Sequence, residues 1–184
     1  MKKRCEWAKD EPNTTYHDDE WGVPLHDDVG LFEFLILEGA QAGLSWRTIL
    51  NRRDGYRIAF SNFDVVAVSK YTQNHVKKLL QNKDIIRNKL KINSAINNAK
   101  QFVKIQQEFG SFDEYLWGFV NHKPIKNKFK KHSDLPPYTI ISKKLSQDLK
   151  KHGFTFVGPI ICYALMQAVG MVDDHTSDCF KYSK

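Results

Sequence analysis

The sequence contains only three cysteines in 184 residues: Cys5, Cys162 and Cys179. Three thiols cannot form the disulfide framework that staples small exported domains, so the fold must rest on a packed core. Long apolar runs are also missing. No stretch reaches the ~18 consecutive apolar residues of a membrane-spanning helix, so no contact with a membrane is expected. The basic start Met1-Lys2-Lys3-Arg4 runs into Cys5-Glu6-Trp7 and not into an apolar signal core, so a cytoplasmic location is expected. Internal repeats and low-complexity tracts are absent, which sets aside solenoids and disordered linkers.

Hydrophobic residues make up 41% of the chain and aromatics 12%, enough for a globular core. The length fits one domain spanning residues 1–184, expected to be a monomer. The net charge of +7 favours an anionic partner, nucleic acid first among them.

Strand alternation is scarce, and helical periodicity runs nearly throughout. Ile92, Ala95, Ile96, Ala99, Phe102 and Val103 follow the i, i+3, i+4, i+7 rule. This predicts a long helix from near Asn88 to before Gly110, a natural C-terminal stop. Ser111-Phe112-Asp113-Glu114 has the capping-box pattern that opens a helix carrying Tyr115, Leu116, Phe119 and Val120. Pro159 suits the first turn of a helix ending at Gly170. Asp27 or Asp28, Ser45 and Thr72 are N-caps for three more. The stretch from Asn121 to Tyr138, with Pro124, Pro136 and Pro137, is the one long irregular segment. The expected fold is a single all-α domain with room for two lobes.

Residues Thr72 to Phe109 read as two helices joined by a turn at Gln81 to Asn88. Such a helix–hairpin–helix can hold a DNA phosphate on backbone amides, helped here by Arg87, Lys89 and Lys91. The glycines usual in that hairpin are missing, and an ordinary helical hairpin with a basic edge fits equally well.

Cys162 sits in the apolar run Pro159 to Leu165 and reads as a small buried hydrophobe. Cys5 and Cys179 lie in polar surroundings at opposite ends of the chain, near His17 and His175 respectively. Two cysteines and two histidines suit tetrahedral zinc, and four protein ligands would make that zinc structural. The alternative is two stray thiols and two ordinary histidines.

A second cluster is Tyr16-His17-Asp18-Asp19-Glu20-Trp21-Gly22. Glu38 follows Phe34-Leu35-Ile36-Leu37, one heptad after Leu31, so it projects near the same apolar stripe, and Trp46 opens the next helix. A carboxylate between apolar walls is costly to bury without a purpose, which makes it a site candidate. The other reading is a helix-end carboxylate with Trp46 as core.

Tyr16 to Pro24 resembles the YHDxEWGVP signature of the 3-methyladenine DNA glycosylase I family, and Leu37 to Trp46 resembles its LEGxQAGLSW block. Phe119 to His122, Gly153 to Gly158, and Asp174-His175 with Cys179 match further blocks in order, nearly end to end. The resemblance implies an all-helical enzyme of the helix–hairpin–helix glycosylase superfamily that hydrolyses the N-glycosidic bond of 3-methyladenine in double-stranded alkylated DNA. It implies one structural zinc held by Cys5, His17, His175 and Cys179, tying the termini together. It carries base-pocket roles to Glu38, Tyr16 and Trp46, with Trp7 and Trp21 as neighbouring aromatics. One departure stands out. Some members have a tyrosine three residues before the signature tyrosine; here Asn13 occupies that place, and the Cys5–His17 interval is one residue shorter. The superfamily often uses an aspartate in the helix after its hairpin, but between Lys91 and Phe112 the only acid is Glu108. A zinc-stapled helical DNA-binding protein without catalysis is the competing function.

Overall fold

The computed structural model describes residues 2–182. Ten α-helices follow in order: α1 (Asn13–Asp19), α2 (Asp28–Gln41), α3 (Trp46–Leu50), α4 (Arg53–Ala59), α5 (Val65–Ser69), α6 (Gln73–Leu79), α7 (Lys89–Phe109), α8 (Phe112–Gly118), α9 (Ile140–Lys151) and α10 (Pro159–Ala168). The strands β1 (Ile125–Lys126) and β2 (Val172–Asp173) form a two-stranded parallel pairing, with Ile125 opposite Val172. Among the described residues no helix is long and apolar enough to cross a membrane.

Helix α2 is the centre of the core. Its residues from Leu31 to Ala40 are all buried, and α3, α7, α8 and α10 pack around it. The Asp27 side chain caps it by accepting from the Gly30 amide. Asp28 then reaches across to α8, where its carboxylate accepts from the Phe112 and Asp113 amides, and it also takes a bond from Gln106 of α7. One acid therefore satisfies two free amides of another helix and joins three elements. On the far side, Glu33 of α2 accepts from Arg53 and Arg57 of α4.

The expected caps of the long helix are present. The Asn88 side chain accepts from Leu90 and Lys91, and Gly110 stops α7 at φ +91°. Helix α8 opens on Ser111 and ends at Gly118, so Phe119 and Val120 fall beyond its last turn. Gly170 closes the chain after α10 at φ +73°; a Cβ there would stand 2.4 Å from the backbone of Val23 and Pro24, so only glycine fits. The region from Asn121 to Tyr138 is largely irregular, as expected, but ordered by β1 and a 3-10 turn at His132–Asp134.

Candidate active site

Helices α1, α2, α3 and α10 surround a cavity of about 570 Å³. Trp7, Tyr16, Trp21, Glu38 and Trp46, distant in sequence, all line it. Tyr16 and Trp46 stand with ring centres 5.3 Å apart, and Trp7 meets Trp21 edge-on at 5.1 Å. Glu38 projects from the last turns of α2 and is only 4% exposed. Burial pushes its carboxyl up to about 8, so at neutral pH it holds a proton that an exposed glutamate would have lost. The Tyr16 phenol is likewise pushed well above its ordinary range, first by burial and then by the nearby Glu38 charge.

Two polar atoms at this cavity have no partner: Trp46 Nε1 and Asn13 Oδ1 are both buried without a hydrogen bond. Sequence reasoning did not find the rest of the lining. Gln41, Ser45 and Arg47 come from the end of α2, the turn after it and the start of α3, Ala164 and Gln167 from α10, and His132 and Leu135 from the irregular segment. No local pattern marks the last four, because only tertiary packing brings them to the cavity. Among the described residues lining the cavity there is no lysine.

Three of the four suspected metal ligands meet behind this wall, and the fourth packs beside them. The donor atoms of Cys5, His17 and Cys179 lie within 4.8 Å of one another, all buried. His175 packs beside them, its ring centre 5.1 Å from that of His17. The Nδ1 atoms of both histidines face carboxylates, His17 to Asp18 at 2.9 Å and His175 to Asp173 at 2.8 Å. That arrangement leaves Nε2 as the outward donor of each ring, the orientation a metal-binding imidazole needs. His175 Nε2 is buried without a partner. Gly22 is required here: at φ +76°, a Cβ would sit 2.8 Å from the His175 ring. The chain ends are bound around the same point. Arg4 grips Asp18 with two nitrogens, Lys3 pairs with Asp178, and the Phe180 amide donates to the Lys3 carbonyl.

The cations expected at the α6–α7 turn divide. Arg87 and Lys89 are exposed, but Lys91 turns inward. Its ammonium donates to the carbonyls of Ala40 at 2.7 Å and Ala42 at 2.6 Å. Lys91 therefore caps the C-terminal end of α2 and braces the turn between Glu38 and Trp46. The reading of Lys91 as a free phosphate contact gives way, because two orphan carbonyls at a helix end attract the cation more locally than solvent does.

A second helical hairpin is better framed. Helices α9 and α10 pack together across the turn 152–158. Buried polar residues satisfy its backbone: Asn98 bonds both the amide and the carbonyl of Thr155, Ser94 bonds the same carbonyl, and Ser146 donates to Val157. Gly158 opens α10 with no side-chain cap, and the space where its Cβ would stand is empty. Helix α10 contains no acid. Beyond it, Asp173 holds His175, and Asp174 accepts from Asn127, Tyr163 and Gln167.

A helical frame, an aromatic cavity and an ionisable carboxyl within it fit the class of DNA glycosylases. The methyladenine glycosylase family model matches residues 7–182, and the chain belongs to that family. The Haemophilus influenzae DNA-3-methyladenine glycosylase is 43% identical over 180 residues, covering 97% of both chains. The Escherichia coli DNA-3-methyladenine glycosylase 1 is 44% identical over 181 residues, covering 98% of this chain and 97% of its own. A crystal structure of a 3-methyladenine DNA glycosylase I superposes with a TM-score of 0.96 at 42% identity, covering 98% of this chain and all of that one.

Proposed function

We propose that the protein excises 3-methyladenine from alkylated duplex DNA by hydrolysing the N-glycosidic bond, leaving an abasic site and an intact strand. The observation that carries this reading is the buried Glu38 carboxyl inside an aromatic box. A DNA-binding domain without catalysis has no use for such a group.

Methylation at N3 leaves the adenine cationic and already a good leaving group. The enzyme must extract the base, recognise it and admit water to the sugar carbon. Tyr16 and Trp46 offer ring faces to the cation, a contact worth about 2 kcal/mol when desolvated. Glu38 gives up its proton as the cation arrives and then accepts hydrogen bonds from the base edge as a carboxylate. A neutral adenine gains less from both. No lysine is among the described residues that line the cavity, so in this reading water is the nucleophile and no Schiff base forms. The test is release of free 3-methyladenine from methylated duplex. A borohydride-trapped enzyme–DNA adduct, or no release at all, would overturn the mechanism or the function respectively.

The unpartnered atoms of the cavity belong to the same reading. A buried polar atom left unsatisfied costs about 1–3 kcal/mol. A purine edge offers an amine donor to Asn13 Oδ1 and a ring nitrogen acceptor to Trp46 Nε1. Asn13→Ala is expected to weaken binding of free 3-methyladenine by roughly tenfold, the equivalent of one lost hydrogen bond to a polar ligand. Titration of tryptophan fluorescence measures it. Unchanged affinity would remove Asn13 from base recognition.

The duplex is held at two places in this proposal. The open first turn of α10 in the 152–158 hairpin supplies backbone amides for a phosphate, and Arg87 and Lys89 add charge at the start of α7. Zinc is held by Cys5, His17, His175 and Cys179. The convergent thiols and imidazoles, the carboxylates behind both rings and the orphaned Nε2 of His175 all fit that ion. When bound, it supplies cross-linking of the termini and no reaction chemistry.

A further inference from the structure

We infer that the segment 125–130 is a further DNA-backbone contact, in which Lys126, Lys128 and Lys130 form a row of phosphate ligands beside the base cavity. The inference rests on the glycosylase reading and names a surface for its polyanionic partner.

Five lysines fall between positions 123 and 131, three of them in the segment, while the whole stretch 121–138 holds one acid, Asp134. All five lysines are exposed, and among the described residues none makes an ion pair. Such an excess of unpaired like charge is self-repelling on a free protein. It is favourable only against a polyanion.

The row is built, not floppy. Alternate residues are tied to the C-terminal segment: the Ile125 amide donates to Met171, the Asn127 amide to Asp173, and the Ser177 amide to the Phe129 carbonyl. The Asn127 side chain adds a bond to Asp174 at 2.6 Å. Ile125, Asn127 and Phe129 are half-buried, whereas Lys126, Lys128 and Lys130 are exposed. Period-two burial puts the three lysines on the exposed side of the segment, and two residues span about 6.6 Å where the chain is fully extended, as it is at β1. That is close to the axial rise of two phosphates along one DNA strand, ~6.8 Å.

The position is equally specific. The chain passes from Lys130 through Lys131 into His132 and Leu135, both of which line the base cavity. A strand whose nucleotide is extruded into the cavity must have its flanking phosphates close to that rim. The row adjoins that rim through Lys130, two residues before His132.

The test is the triple variant Lys126→Gln, Lys128→Gln and Lys130→Gln, assayed for binding to a duplex with a central abasic-site analogue over a potassium chloride series. Each phosphate contact contributes about 0.9 to the slope of log affinity against log salt, so the slope should fall by about 2–3. Affinity at low salt should fall by roughly tenfold or more. The triple arginine variant should keep the parent slope, and affinity for free 3-methyladenine should be unchanged in both. A glutamine variant with the parent slope overturns the inference. Should the parent itself neither bind duplex in a salt-dependent way nor release base, the glycosylase reading fails instead, and the two failures are distinguishable.

Discussion

Glu38→Gln is expected to yield a protein that is more stable than the parent at alkaline pH and worse at its reaction. Both effects follow from one observation, a carboxyl 4% exposed whose pKa burial raises to about 8. In the unfolded chain Glu38 ionises near 4.5; in the fold it keeps its proton to about 8. Between these values the folded state binds the extra proton, so stability falls as pH rises through that window, and above about 8 the full cost of a buried charge is present. Each pKa unit is worth about 1.4 kcal/mol, so the accumulated cost is a few kcal/mol, lessened by water entering the cavity. Glutamine never ionises and avoids this cost. Thermal unfolding from pH 5 to pH 9 should show the variant and parent diverging, the variant ahead at the alkaline end. The catalytic effect has the opposite sign. Binding a cationic base requires the carboxylate, so below about pH 8 the parent must release a proton on binding, and its affinity should climb with pH toward that value. The variant's profile should be flat and its single-turnover release slower by roughly ten- to a hundredfold, the worth of a charge-assisted hydrogen bond. A folded variant with the parent's rate and pH profile removes Glu38 from the site.

How much of this was legible beforehand depends on the range of the interaction concerned. Caps are local, and Asp27, Ser45, Asn88 and Ser111 stand where their chemistry places them. The apolar stripe of α2 and the placement of Glu38 on it are equally local, because helical spacing alone sets them. The meeting of Trp7, Tyr16, Glu38 and Trp46 at one cavity was reached through family resemblance, since no spacing rule joins separate helices. The hairpin was placed at Gln81 to Asn88 between two helices, yet what frames the 152–158 turn is a set of buried polar residues, Ser94, Asn98 and Ser146, whose partners are distant backbone groups that no local pattern reveals. Lys91 was misread for a related reason. Its partners Ala40 and Ala42 are carbonyl oxygens, which leave no trace in side-chain identity.

Loss of one thiol of the metal site is expected to damage the base cavity as well as the termini. His17 and Tyr16 are successive residues of α1, so one short helix presents a proposed zinc donor to one side and a cavity wall to the other. Trp21 packs edge-on against His175 at 4.7 Å, and Trp7 packs against His17 at 5.4 Å. The aromatic wall thus leans on the two imidazoles. In small zinc domains the ion contributes on the order of 10 kcal/mol to folding. Here the core around α2 has its own packing, so Cys179→Ser should cost only part of that. A loss of about 3–5 kcal/mol corresponds to a drop in Tm of roughly 10 °C for a chain of this size. Three readouts separate the outcomes. Metal analysis should find one zinc per parent chain and less than one in the variant. Thermal unfolding should show the lower Tm, and a chelator should reproduce it in the parent while leaving the variant little changed. Affinity for free 3-methyladenine should fall in step with metal content, because the wall formed by Trp7, Tyr16 and Trp21 loses its backing. Parent protein without zinc would remove the metal site. Zinc present but bound identically after Cys179→Ser would show that other residues are the ligands. A variant that loses zinc yet binds base as before would leave the metal as a staple of the termini and break its link to the cavity.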